Sequence, residues 1–501
     1  MSAFLNGLKN ETNFGYTENG AVKHNSTLNH VLDMFSMGGA YRNRTDKEVE
    51  VLFGDAYRED KNLAMKCLFY LRDVRGGQGE RRFFRVAYRW LIKNDVEIAA
   101  KFLNIIPEFG RWDDLIKICY NTPLVSTMGD IVHRQLLEDT HCEVPSLLGK
   151  WMPSENASST TTKEMARYFM KQFNMSPKTY RKILSSLRKK INVLERLMSE
   201  NRWDEIQFDK IPSVAGMKYR NAFAVKEVTA ARYKAFMESK TTKVNAAVLN
   251  PVDIVDKILY KNRYDISSDV FEATMQKYWD NLKDYYCGRE ENAIAVVDVS
   301  GSMYGTPIAA AVGMGAYVAE KSHGPFAGHF ITFSANPQLV EFEGDNIVDK
   351  VKRCIQADWG MNTNLEKVFD LILDTALKTK ASQTDLPARL YIFSDMEFDA
   401  ACGGGYGGWR GEYFDGVTSR TVDTLLERME KKFNAHGYKL PKVTFWNLDA
   451  RTNNIPAIGD SFNYISGFSM SQMEAVMAGL TATDMMLKVL LADRYEVIKV
   501  D

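Results

Sequence analysis

The chemistry of this chain gathers around Asp298-Val299-Ser300-Gly301-Ser302, which follows the apolar run Ala293-Ile294-Ala295-Val296-Val297. An acid and two hydroxyls alternate with non-ligating residues where a buried strand runs out. Two further segments supply matching groups. Gly360-Met361-Asn362-Thr363-Asn364 opens a helix and offers the Thr363 hydroxyl, and Ser394-Asp395 follows the strand-like Leu390-Tyr391-Ile392-Phe393. Asp298, Ser300, Ser302, Thr363 and Asp395 together give two carboxylates and three hydroxyls, a hard-oxygen set suited to octahedral Mg2+ or Mn2+. These segments carry no His or Cys, which argues against zinc. A phosphatase built on an aspartyl nucleophile wants a second acid two residues after the first, and Ser300 stands there. The expectation is a binding site rather than an enzyme.

The elements that must position these groups change character near Asn292. Short apolar strands then alternate with helices: Ala293–Asp298, His329–Ser334, Gln338–Glu343, Arg389–Ser394, Lys442–Leu448 and Tyr464–Phe468 as strands, with helices expected at Ile308–Lys321, Ile347–Ile355, Asn364–Lys378, Thr421–Phe433, Met470–Gly479 and Ala482–Leu491. Such alternation reads as a doubly wound α/β domain, whose ligands bind at the carboxyl ends of the strands. Before it, Leu63, Cys67, Leu68 and Leu71, and Leu184, Leu187, Ile191, Leu194 and Leu197, recur at helical steps. Gly and Pro separate the helices, and their succession fits an irregular solenoid of the HEAT type. Gly76-Gly77-Gln78-Gly79 lacks the ending of a nucleotide-binding loop and reads as a turn between helices. The expected division is a loose arm at 1–30, a helical domain at 31–290 and an α/β domain at 291–501.

The chain has 501 residues and no net charge, with 64 basic and 64 acidic side chains, yet the charge is unevenly spread. Residues 1–290 hold 45 Lys+Arg against 37 Asp+Glu, leaving 19 against 27 for residues 291–501. Segment 163–243 alone has 19 basic and 8 acidic residues, with tyrosines interleaved. A basic helical surface with aromatics is what phosphate contacts and base stacking use. Arg72, Arg75, Arg81, Arg82, Arg181, Lys182, Arg188, Lys189 and Lys190 are the candidate RNA contacts. The six cysteines are scattered, the N-terminus has no secretory layout, and no apolar run reaches the ~18 residues of a membrane span. These features point to a cytoplasmic protein.

Asp298-x-Ser300-x-Ser302, the distant Thr363 and the distant Asp395 resemble the metal-ion-dependent adhesion site (MIDAS) of von Willebrand factor A (vWA) domains. A helical first half before such a domain looks like the Ro autoantigen (TROVE) architecture, and more closely like a Ro-related family of unknown function in plants, phages and large viruses. The segments that carry the likeness are 68–77, Gly110-Arg111-Trp112-Asp113-Asp114, Tyr180–Arg188, Val297–Met303, Asp358–Asn364 and Phe393–Asp399. The resemblance implies a HEAT-like ring closed by the vWA domain. It implies binding of small noncoding or misfolded RNA by the basic helices, and a metal site that is structural or recruits a protein partner. The alternative expectation is a protein-interaction module whose metal captures an acidic residue of its partner.

Overall fold

The computed structural model describes residues 13–18, 22–191, 194–260, 267–333, 336–356, 364–398, 425–453, 455 and 462–500. The chain is mostly helical before residue 290 and carries a mixed sheet after it. It forms two compact units, which do not meet at one boundary. The α/β unit contains residues 1–44, 249–263 and 282–492, and the helical unit contains 45–248, 264–281 and 493–501. The composition change near Asn292 therefore marks the start of the sheet, not the start of a unit.

The sheet of the α/β unit has six strands: β3 (Ala293–Val297), β4 (His329–Thr332), β5 (Leu339–Glu341), β6 (Arg389–Ser394), β7 (Lys442–Asn447) and β8 (Phe462–Ser466). Their order across the sheet is β5-β4-β3-β6-β7-β8, parallel except for the edge strand β5. Every residue of β3, β6 and β8 is buried, as the near-continuous apolar runs of a covered parallel sheet require. Successive connections run outward from β3 in one direction and from β6 in the other. The strand order thus reverses between β3 and β6, and in open α/β sheets the carboxyl ends of the strands at such a reversal are where ligands bind.

The helix Thr306–Lys321 shows why the sheet needs partners from far away in sequence. Twelve of its residues are buried, so it is apolar nearly all round. A side-chain carbon at Gly315 would lie 2.4 Å from Val297 of β3, and one at Gly313 would lie 3.0 Å from the Pro251 backbone. Small residues thus let the helix press on the sheet with one side and on the helix Pro251–Leu259 with another. The N-terminal segment also belongs here. β1 (Phe14–Tyr16) and β2 (Val22–His24) form a hairpin, and His24 exchanges backbone hydrogen bonds with Ile455. After the helix His30–Met37, the Gly39 amide donates to Ser466 of β8 at 3.1 Å. Within the expected arm at 1–30, Phe14–Tyr16 and Val22–His24 pair as a hydrogen-bonded hairpin.

In the helical unit, Thr45 and Glu48 form a capping box at Asp46–Glu59, and Asp60 caps Lys61–Arg72. The turn Gly76–Gly79 joins that helix to Arg81–Asn94, as expected. A side-chain carbon at Gly77 would stand 1.9 Å from the Tyr70 carbonyl, so only glycine fits there. Arg72 is 1% exposed and donates through Nε (2.9 Å) and Nη2 (2.6 Å) to Asp114. Arg85 holds the other Asp114 oxygen at 2.7 Å and Asp113 at 2.9 Å. Gly110 leaves room for this cluster, since a side-chain carbon there would come within 2.8 Å of both partners. Next to it, the fully buried Asp73 accepts from Arg494 and Tyr495 of the C-terminal segment.

Removing one member of a buried pair strands the other charge. Asp114→Asn is expected to lower stability by about 3–5 kcal/mol, measured by urea unfolding; a loss below ~1 kcal/mol, the level of an exposed pair, would count against the cluster.

Candidate metal centre

The loop after β3 and the loop after β6 face each other because these two strands are neighbours in parallel register, Val297 opposite Phe393. Strand pairing continues into the site: the Asp298 amide donates to the Phe393 carbonyl at 3.0 Å. Asp298 is fully buried, and its Oδ1 accepts from the Ser300 amide at 2.9 Å while Oδ2 accepts from the Ser394 hydroxyl at 2.7 Å. The hydroxyls of Ser300 and Ser302 lie 2.9 Å apart. Asp395, 1% exposed, accepts through Oδ1 from the Glu397 amide at 3.2 Å. Its Oδ2 is buried and has no hydrogen bond. Between them Met396 takes a left-handed φ of 63°, a conformation costly for a side chain with a Cβ and one that clusters at functional loops.

Burial first, and then the charge of Asp395, pushes the Asp298 carboxyl up to about 7. Burial also raises Asp395, opposed by the nearby Ser302 hydroxyl, by the hydrogen bond from the Glu397 amide and by the charge of Arg451. Two buried carboxylates, one with an oxygen that has no hydrogen bond, make a site that could hold a cation. All its donors are hard oxygens, which fit Mg2+ or Mn2+. Asp298, Ser300, Ser302 and Asp395 are brought together, whereas Thr363 lies outside the described residues. Among the described residues no group of three or more His, Cys, Asp or Glu is placed to hold a metal. The set here has a different composition, two acids with hydroxyls.

Three groups at this edge were not assigned a role from the sequence. The Ser394 hydroxyl holds Asp298. Glu397 accepts from the Thr452 hydroxyl and the Glu18 amide, both at 2.8 Å. Arg451, in the loop after β7, donates to the Ser302 carbonyl at 2.5 Å. Ser394 sits beside a recognised acid and could have been found by adjacency. No local signal marks Arg451.

The candidate RNA contacts of the helical unit fare differently. Arg72 is sealed in its pair with Asp114 and cannot reach a phosphate, which corrects that expectation. Arg82 pairs with Asp46, and Arg181 pairs with Glu155 at 2.6 Å. Arg75, Arg188 and Lys190 donate to backbone carbonyls, of Glu108, of Gly149 and Met152, and of Thr140 and Cys142 respectively. Arg81, Lys182 and Lys189 are exposed. A cleft of about 520 Å³, absent from the sequence reading, is lined by Arg85, Arg89, Lys93 and Lys117 together with Asp46 and Glu50; Lys93 pairs with Glu50, Lys117 with Asp113, and Arg89 donates to the Lys117 carbonyl.

Residues 17–143 and 137–284 match the family described as a domain of unknown function (DUF2828), and residues 292–493 match another so described (DUF7788). The chain is 32% identical over 513 residues to Uncharacterized protein L728 of Acanthamoeba polyphaga mimivirus, a match that covers 93% of this chain and 85% of that protein.

A carboxyl whose folded pKa lies above its unfolded value favours the fold most when protonated. In chelator, stability is therefore expected to fall as pH rises from about 4 to about 7, by up to ~1.4 kcal/mol per pH unit, and then to level off. Urea midpoints across that range should show a shallower slope for Asp298→Asn; an equal slope in the variant would assign the effect elsewhere.

Proposed function

The chain belongs to the DUF2828 family, and from that premise we propose that it is a non-enzymatic, divalent-cation-dependent binding protein whose α/β unit is a vWA-type domain. One observation carries this reading: the buried Asp395 Oδ2 without a hydrogen bond, beside a second buried carboxylate at the reversal of strand order. The strand order and the Asp-x-Ser-x-Ser loop at the end of β3 support the vWA assignment. Asp298, Ser300, Ser302 and Asp395, with Thr363, would hold Mg2+ or Mn2+. The cation would keep one position open for an acidic residue of a protein partner. The hydroxyls of Ser300 and Ser302 bond to each other, an arrangement that suits ligation and leaves neither set up as a nucleophile.

Ro-like RNA binding by a HEAT-like helical unit is the second reading. It is favoured by the exposed Arg81, Lys182 and Lys189. Phosphate contact by those cations would be sequence-independent and would weaken with salt. No helix among the described residues is long and apolar enough to cross a membrane, and the cytoplasm remains the proposed location.

Calorimetric and thermal titrations with Mg2+ and Mn2+ test the first reading. A cation present at about 100 times its Kd is expected to add ~2.7 kcal/mol of stability. Asp298→Ala should abolish the gain, and a wild-type protein indifferent to both cations would rule the site out. Filter binding of single-stranded RNA across salt tests the second. Lys182→Ala and Lys189→Ala should each reduce the salt slope by about 1, and no affinity at low salt would exclude RNA as a ligand.

A further inference from the structure

Arg451 reaches the acidic edge from the loop after β7, and its guanidinium is shared among three acceptors. Nη2 donates to the Ser302 carbonyl at 2.5 Å, Nη1 lies 3.5 Å from the Glu18 carboxylate, and Nε lies 3.8 Å from Asp395 Oδ2. That last oxygen is the one without a hydrogen bond. Among the described residues, Arg451 is therefore the cation that pairs with the group that a divalent ion would need. At 36% exposure it has a way out to solvent, while Asp395 has none.

We propose that Arg451 is an intramolecular competitor of the divalent cation: it neutralises Asp395 when the ion is absent and must yield when the ion binds. The inference rests on the cation site proposed above. Its physical basis is that a guanidinium and a divalent ion repel one another strongly within a few ångströms in a partly desolvated site. The long arginine stem and its partial exposure let the guanidinium be the one that moves. Arg451 would thus set the cation concentration at which the site switches, and it is a positioning residue rather than a ligand.

The test is binding of Mn2+ to the full chain, with the free ion counted by electron paramagnetic resonance, for wild type, Arg451→Gln, Arg451→Lys and Asp395→Asn. Arg451→Gln is expected to bind roughly tenfold more tightly, within the range of ordinary site–site coupling. Arg451→Lys, which keeps the charge, should stay near wild type, and Asp395→Asn should lose binding. Thermal melts supply a second readout. Arg451→Gln should melt below wild type in chelator and above it in excess Mn2+, a crossing that a merely structural arginine would not produce. Equal or weaker Mn2+ binding by a folded Arg451→Gln overturns the role of Arg451 alone. Absence of Mn2+ uptake by wild type and Arg451→Gln alike overturns the cation site, and this proposal with it.

Discussion

Asp298 and Asp395 end neighbouring strands and are buried together, so each raises the energy of the other's charge. The rest of the α/β unit is organised around tolerating that juxtaposition. Parallel pairing of β3 with β6 makes it unavoidable, because residues that leave adjacent parallel strands emerge at the same edge. Hydrogen bonds from Ser300 and Ser394 offset part of the burial cost for one acid, and the Glu397 amide does so for the other. One oxygen is left over. A buried acceptor without a donor is costly. Together with the left-handed Met396 it marks this edge as a place where stability has been given up for something else.

Holding the sheet edge in place is a question of close packing. The helix Thr306–Lys321 starts directly after the loop that carries Ser300 and Ser302, so any shift of that helix would move both hydroxyls. Its alanines and glycines permit contact on two sides at once. The helix Pro251–Leu259 closes one of them although it lies some way before the sheet in sequence. The helix has little latitude at Gly313 and Gly315, where even one methyl group would collide with backbone or with β3.

The strand positions and the acids at the ends of β3 and β6 were readable in the sequence, since buried parallel strands are dense apolar runs and catalytic or binding groups follow them. Membership of the units was not readable. The helix Pro251–Leu259 and the helix His30–Met37 have the same periodicity as their neighbours, and periodicity reports that a face is buried without naming the surface that buries it. Cation counts failed for a related reason. Arg72 and Lys182 are equal in a sum of charges, yet Arg72 is taken by an aspartate 42 residues further on. Arg451 was invisible because its partners come from three other segments.

The Asp73 cluster has a consequence in time. Its carboxylate is buried in the helical unit, while its cation, Arg494, lies 421 residues later in the chain. At translation rates of about 5–20 residues per second, a ribosome needs tens of seconds to supply that arginine. Until then neither Asp73 nor the rings of Tyr70 and Phe109 can have the partners that Arg494 and Tyr495 supply in the folded chain. The helical unit thus depends on a segment, residues 493–501, that is made long after its first helices.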